Sequence, residues 1–436
     1  MENEIIMLRR EQTSVMTDLE NIEVETPEDL YPDGGYGWLM VFLSFIIHIV
    51  TIGIPGSFGV FQEHYTNNPH FNGSHSPMDV AFIGSCGTGG MGFFALASGL
   101  IIDKFGHQFL CVIGGILIII SYVLASYSTE YWQLLLTQGI LFGMGCAISY
   151  FPGMTIISHW FNKRKGVAIG IAVSGSGIGG LIVAPILQYL ISSVGVTAAI
   201  RITGITGGVI VIICGLLLKP RLPPSKKGDF DYKAILFDSK FIRLFFMVTF
   251  AMFGYFIPFF FIPSFAVQNG LSTTDGALLL GYMQGASAVG RIALGFNADI
   301  LGHINTLTIC PVIGAMTVLL LWPFSKTYGM LTLFSVLYGF FVGGLLSLLP
   351  SAIIELFGTK NVASITGMVY TAFLFGDTLG PPFAGFLLGE HEDKSGIKIY
   401  DFTTTIMLTG GCILVGAILM VSIKISVAKG RFFARV

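Results

Sequence analysis

Charge is what this chain has least of. Only 11% of its 436 residues are Asp, Glu, Lys or Arg, against about 25% in a soluble globular domain. A chain this poor in charge cannot keep most of its surface in water. Paired cysteines are missing too. Cys86, Cys111, Cys146, Cys214, Cys310 and Cys412 all lie in apolar segments without paired spacing. They read as small packing residues, neither disulfides nor metal ligands. No His/Asp/Glu constellation sits at one depth of those segments, so a membrane enzyme has no catalytic cluster to use. No segment is long enough for the large cytoplasmic domain of a sensor.

Long apolar runs are what it has most of. Hydrophobic residues make up 53% of the chain. Stretches of about 20 residues, enough to cross a ~30 Å hydrocarbon core, recur near 38–61, 79–102, 109–127, 131–151, 166–191, 197–218, 241–265, 276–300, 304–324, 328–350, 362–388 and 402–426. The expectation is an all-α membrane protein of about twelve transmembrane helices in two six-helix halves. Residues 1–32 are polar and acidic and read as a disordered cytoplasmic tail. The first apolar run follows that tail and reads as a retained span, not a cleaved signal. Residues 33–218 form the first bundle, 219–240 a basic linker, 241–426 the second bundle and 427–436 a short tail.

The few charges are placed unevenly. Of 23 Lys and Arg, only Lys326, Lys394 and Lys398 fall in the loops assigned to the outside, Arg201 and Arg291 fall within spans, and Arg243 and Lys424 stand at the inner ends of theirs. The rest lie in the opposite loops and the tails. The positive-inside rule then puts both termini in the cytoplasm. The one Asn-X-Ser/Thr sequon, at Asn72, falls in the first outer loop and is a candidate glycosylation site. The basic linker reads as a topology determinant or anionic-lipid contact, not a nucleic-acid patch.

Two signatures repeat half a chain apart. GLIIDKFGH runs from Gly99 to His107 and GFNADILGH from Gly295 to His303. Each follows an apolar segment, which suggests an internal duplication with a substrate site between the copies. Small residues recur at four-residue spacing: Gly84, Thr88 and Gly92; Gly166, Gly170 and Ser174; Gly376, Gly380 and Ala384. Such faces let helix backbones approach closely in lipid. Gly175-Ser-Gly177-Ile-Gly179-Gly180 matches the dinucleotide pattern in letters alone. It lies inside a span rather than at a strand-to-helix turn, so helix packing explains it better and no cofactor is expected.

The segment Asp33-Gly34-Gly35-Tyr36-Gly37-Trp38 resembles the DG[GS][WY][GA]W signature of the monocarboxylate transporter family, within the major facilitator superfamily. The run Trp160 to Gly175 resembles that family's YFxKRRxLAxGxAxAG pattern, with Trp160 for Tyr, Lys165 for Arg, Val167 for Leu and Ser174 for Ala. Gly380-Pro381-Pro382-Phe383-Ala384-Gly385 is similar to its GPPLAG, and the Ser57–Gln62 region is most similar to fungal members. The likeness covers nearly the whole chain. It implies a major facilitator fold working by alternating access. Two departures stand out. Proton-coupled lactate carriers have a Lys where this chain has Gly56, and an Asp where it has Ser287, one turn before the retained Arg291.

Arg291 is also singled out by cost. It lies about 12 Å from the end of its helix, counted back from Asp299. A charge near mid-bilayer costs roughly 2.5–3.5 kcal/mol on insertion scales. Gln284, Ser287 and Arg291 share one helical face, expected to line a polar cavity. A guanidinium fork suits a carboxylate; the alternative is an ion pair with a neighbouring helix. Asp377 shares a face with Thr366 and Tyr370. It could pair with Arg291, carry a proton, or simply bond to a neighbour. His48 stands on a stripe with Ser44, Thr51 and Pro55 and is either a substrate or proton contact or a packed residue. Arg201, near a span end, reads as structural. Asp103, Lys104, Asp299, Lys163 and Arg164, with the motif residues Asp33 and Trp38, read as gate and topology groups.

These features imply a multi-pass plasma-membrane transporter of a small organic anion, such as a monocarboxylate, by proton symport or facilitated diffusion. Its expected partners are that substrate, protons and the bilayer, with no nucleic acid; an ancillary subunit is left open. The alternative is a transporter of a vitamin, amino acid or other metabolite, such as a secondary metabolite, not coupled to protons, and the remote one a non-transporting membrane sensor.

Overall fold

The computed structural model describes residues 33–67, 76–161, 165–221, 235–358, 362–392 and 398–428. The 1–32 tail, Asn72, Lys163, Arg164, most of the 219–240 linker and nearly all of the 427–436 tail lie outside them. So do the side chains of Asp103, Lys104 and Asp299, whose backbones sit near the ends of their helices.

Among the described residues, twelve long helices follow in order. The first set is α1 (residues 37–67), α2 (Pro77–Phe105), α3 (His107–Ala125), α4 (Tyr131–His159), α5 (Lys165–Val194) and α6 (Val196–Leu217). The second is α7 (Ser239–Gln268), α8 (Thr273–Leu301), α9 (His303–Leu320), α10 (Tyr328–Phe357), α11 (Val362–Phe386) and α12 (Thr403–Val427). Ten have the length and hydropathy to cross a membrane. α2 and α11, of 29 and 25 residues, complete the set. Every expected span maps to one helix. The expected all-α architecture carries one short addition: a hairpin of β1 (Gly389–Glu392) and β2 (Lys398–Asp401) lies between α11 and α12. Gln268, at the end of α7, holds it as an extra strand would. Its Nε2 donates to Tyr400 O at 2.5 Å and its Oε1 accepts from Tyr400 N at 2.8 Å.

The duplicated signature builds the same joint twice. Gly106 and Gly302 take φ of 83° and 98°, a conformation open to glycine at little cost, and each separates two helices with no further linker. The next residue, His107 or His303, starts the following helix. The repeat extends to the other ends of α2 and α8. Ser76 and Asp79 cap each other at one, Ser272 and Asp275 at the other. Each pair satisfies two otherwise orphaned backbone donors.

The two helix sets meet mainly towards the face opposite the start of α1. There α1 seals against α7, with Gly59 against the backbone carbonyls of Phe259 and Phe260, where any side chain would collide. The rings of Phe58 and Phe260 meet beside it at a tilt of 45°, their centroids 5.2 Å apart. Gln188 of α5 donates to Thr273 of α8 at 3.0 Å, and Gly385 of α11 packs on Met78 of α2. At the other face, the motif residues fasten the start of α1 to the end of α4. Asp33 N donates to Trp160 O at 3.1 Å, and Trp38 meets Phe161 edge-on at 5.0 Å. Trp160 Nε1 in turn donates to Lys219 O at 2.9 Å, tying in the chain just after α6.

The expected small-residue faces need one correction. Gly170 has nothing within reach of a Cβ. The close approach of α5 is made by Gly175, Gly177, Gly179 and Gly180 instead, against α1 and α8. The dinucleotide-like letters are a helix seam.

Candidate substrate site between the helix sets

Arg291 projects from the middle of α8 into that seam. It is 2% exposed. Its Nη1 donates to Val173 O of α5 at 3.0 Å and also to Ser176 Oγ. Its Nε has no hydrogen-bond partner. Among the described residues it has no carboxylate partner. The pairing with Asp377 considered from sequence is not formed. Asp377 lies buried on α11, where its helix packs on Phe253 of α7 through Gly376 and Gly380 and on α2 through Thr378. Its Oδ1 is without a partner.

The expected polar face of α8 does not line an open cavity. Gln284 and Ser287 are as buried as Arg291. Glycines on three neighbouring helices let those backbones close over them. The Gln284 side chain fills a notch between Gly56 of α1 and Gly180 of α5, and Ser287 lies against Gly343 of α10. The two departures from the lactate-carrier pattern therefore have a structural counterpart. The space beside Gly56 is taken by the Gln284 carboxamide, and the space beside Ser287 by the α10 backbone.

Other groups gather near Arg291. His48 is fully buried, with Nδ1 2.7 Å from Ser44 O and Nε2 unpartnered. Its ring meets Tyr150 of α4 edge-on at 4.8 Å. Arg291 is close enough to act electrostatically on His48, Tyr150 and Tyr370. Tyr370 of α11 stacks on Phe373 with ring centroids 4.8 Å apart. The structure thus brings together Arg291, His48 and Tyr370. It adds Tyr150, Val173 and Ser176, which sequence reasoning missed. Nothing in the apolar run around Tyr150 marks it, and Ser176 sits within the glycine segment read as packing.

Arg201 bonds through Nε to Ser126 Oγ at 3.2 Å and lies over the Tyr127 ring, a local structural role. A separate cleft under the hairpin, lined by Phe265, Gln268, Lys326, Tyr400 and Asp401 among others, lies at the far membrane face, away from Arg291.

Comparison with known proteins agrees with this architecture. The profile of the Major Facilitator Superfamily matches residues 37–381 and 296–431. The MFS-type transporter pynF of Aspergillus niger is 32% identical over 383 residues, 87% of each chain. The aspyridones efflux protein apdF of Emericella nidulans is 31% identical over 394 residues, 89% of this chain and 79% of that protein. Among solved structures, the nucleoside transporter NupG superposes with a TM-score of 0.68 at 14% identity, covering 88% of this chain and 99% of NupG. A bacterial homologue of the human lysosomal transporter Spinster gives 0.67 at 16%, covering 91% of this chain and 99% of that one. At such identities the two structures speak for the fold alone. With twelve helices in two sets, a charged residue buried between them and relatives that match most of its length, the chain belongs to the major facilitator superfamily and is a multi-pass secondary transporter of that type.

Proposed function

We propose that this transporter carries an organic anion, bound at Arg291 between the two helix sets. The observation that carries this reading is the state of Arg291. Its guanidinium is buried, it donates only to neutral oxygens, and its Nε is idle. A buried cation without a counter-ion is expensive. A substrate carboxylate or enolate arriving between the helices supplies the missing charge in a fork geometry that suits it.

The cargo in this reading is a metabolite-sized acid rather than lactate. Gly56 and Ser287 replace the Lys and Asp of lactate carriers, and both spaces are filled by packing. Tyr150, Tyr370 and Phe373 offer aromatic surface beside the charge. The relative apdF is named for the efflux of aspyridones, which supports export of a secondary metabolite. The Lys/Arg asymmetry supports cytoplasmic termini. In that orientation the α1–α7 seal is external. Asp377, buried and without a counter-charge among the described residues, is the proposed proton carrier of a proton-coupled cycle.

The test is flux in proteoliposomes over a panel of radiolabelled aromatic and aliphatic carboxylic acids, with matched neutral amides, with and without an imposed pH gradient. The reading predicts transport of acids and not of the amides. Transport of the amides at the same rate would overturn it.

A further inference from the structure

His48 has one nitrogen in use and one idle. Its Nδ1 lies 2.7 Å from the carbonyl oxygen of Ser44, one turn earlier in α1. A carbonyl oxygen can only accept, so Nδ1 carries the proton. The Ser44 hydroxyl does not alter this, because it donates to Gly153 O at 2.7 Å. In the neutral ring, Nε2 is therefore a bare acceptor. It is buried, and none of the described residues donates to it.

Its setting points to a ligand. Immediately after His48, α1 passes into a π-helical turn, Ile49–Gly53, a local irregularity frequent at functional sites. Tyr150 of α4 packs edge-on to the ring, and Arg291 of α8 is bonded to Val173 and Ser176 of α5, the stretch whose Gly175 and Gly179 pack on Phe45 and Ile49 of α1 around His48. Arg291 has an idle atom of the opposite kind. Its Nε–H is a donor with no acceptor. The two orphaned atoms do not satisfy each other. They belong to different helix sets, so a molecule reaching both would touch both moving parts of the transporter.

We infer that His48 Nε2 accepts a hydrogen bond from the transported molecule and selects acids bearing a hydroxyl, enol or N–H donor beside the acidic group held by Arg291. The acid's oxygen accepts from the guanidinium while the neighbouring donor points at the imidazole. This inference rests on the anion-site reading of Arg291.

The test uses the full chain in lipid nanodiscs and two probes, mandelate and its methyl ether, 2-methoxy-2-phenylacetate. Both carry the carboxylate and the ring; only mandelate keeps the donor. Wild type should bind mandelate at least about fivefold tighter, the worth of one hydrogen bond. His48→Asn keeps a donor for Ser44 O but places no atom where Nε2 was. It should bring that ratio to about one at an unchanged melting temperature. His48→Gln returns an acceptor to that place and should restore the ratio. A ratio near one in wild type, or a ratio preserved in His48→Asn, would overturn the inference. Unchanged affinity for both acids in Arg291→Ala would instead overturn the anion site. Failure of wild type to bind either acid would overturn both.

Discussion

Arg291 of α8 reaches across the seam between the helix sets and donates to Val173 O of α5 at 3.0 Å. Its other bond is to Ser176 of the same helix. Arg291 is thus satisfied in part by neutral groups and by no carboxylate among the described residues. Asp377 is buried elsewhere and is not its counter-ion. The double variant Arg291→Ala/Asp377→Ala should therefore show the combined losses of the single variants. Residues in contact couple by roughly 0.5–3 kcal/mol in double-mutant cycles, and separated ones add within about 0.5 kcal/mol. Flux measured for all four proteins at matched surface expression checks this. Recovery of transport in the double variant would mean that the two charges pair.

The Gln284 notch gives an ordered pair of stability changes. A methyl on Gly56 would meet the carboxamide end of the side chain, Nε2 first with Cδ and Oε1 behind it. A methyl on Gly180 would meet Cβ, Cγ and Cδ. Gly180→Ala should destabilise by about 1–3 kcal/mol as an overpacked site, and Gly56→Ala by clearly less. Adding Gln284→Ala should return part of the Gly180→Ala loss. Thermal melts of the purified proteins report the order. A larger loss at Gly56 would contradict this packing.

Orientation is tested from outside the cell. A Cys placed at Asn72, in a background without the six native Cys, should react with an impermeant maleimide on intact cells. A Cys in the 219–240 segment should react only after permeabilisation. The reverse pattern would invert the proposed topology, and with it the external position of the α1–α7 seal.

Asp377 separates coupling from binding. Asp377→Asn keeps the volume and removes both the charge and the titration. If Asp377 carries the proton, the variant should lose accumulation driven by a pH gradient while substrate exchange stays near wild type. Unchanged gradient-driven accumulation would remove Asp377 from the coupling mechanism.

Much of the architecture was legible because membrane crossing imposes length and apolarity on each helix. The joints at Gly106 and Gly302 were legible as well, since one residue type at one spacing makes the same turn twice. The hairpin was not. Its strands are four residues each and are held by Gln268 from a helix far away in the chain. The i, i+3, i+7 spacing placed Gln284, Ser287 and Arg291 on one face of α8. It could not say that glycines on α1, α5 and α10 would close over that face. The idle atoms of His48 and Arg291 were beyond reach for a like reason. A sequence names the donors and acceptors but not which of them go unmet.

Arg291 carries the central claim, and its fork geometry is the sharpest handle on it. Binding and flux of a radiolabelled carboxylic acid that wild type transports should be measured for Arg291→Lys and Arg291→Ala. Lys keeps the charge and loses the planar fork. One charge-assisted hydrogen bond is worth about 1.5–3 kcal/mol, so Arg291→Lys should weaken affinity roughly tenfold to a hundredfold. Arg291→Ala should abolish transport of the acid while the protein still reaches the membrane. Wild-type affinity and flux for that acid in Arg291→Ala would contradict the account.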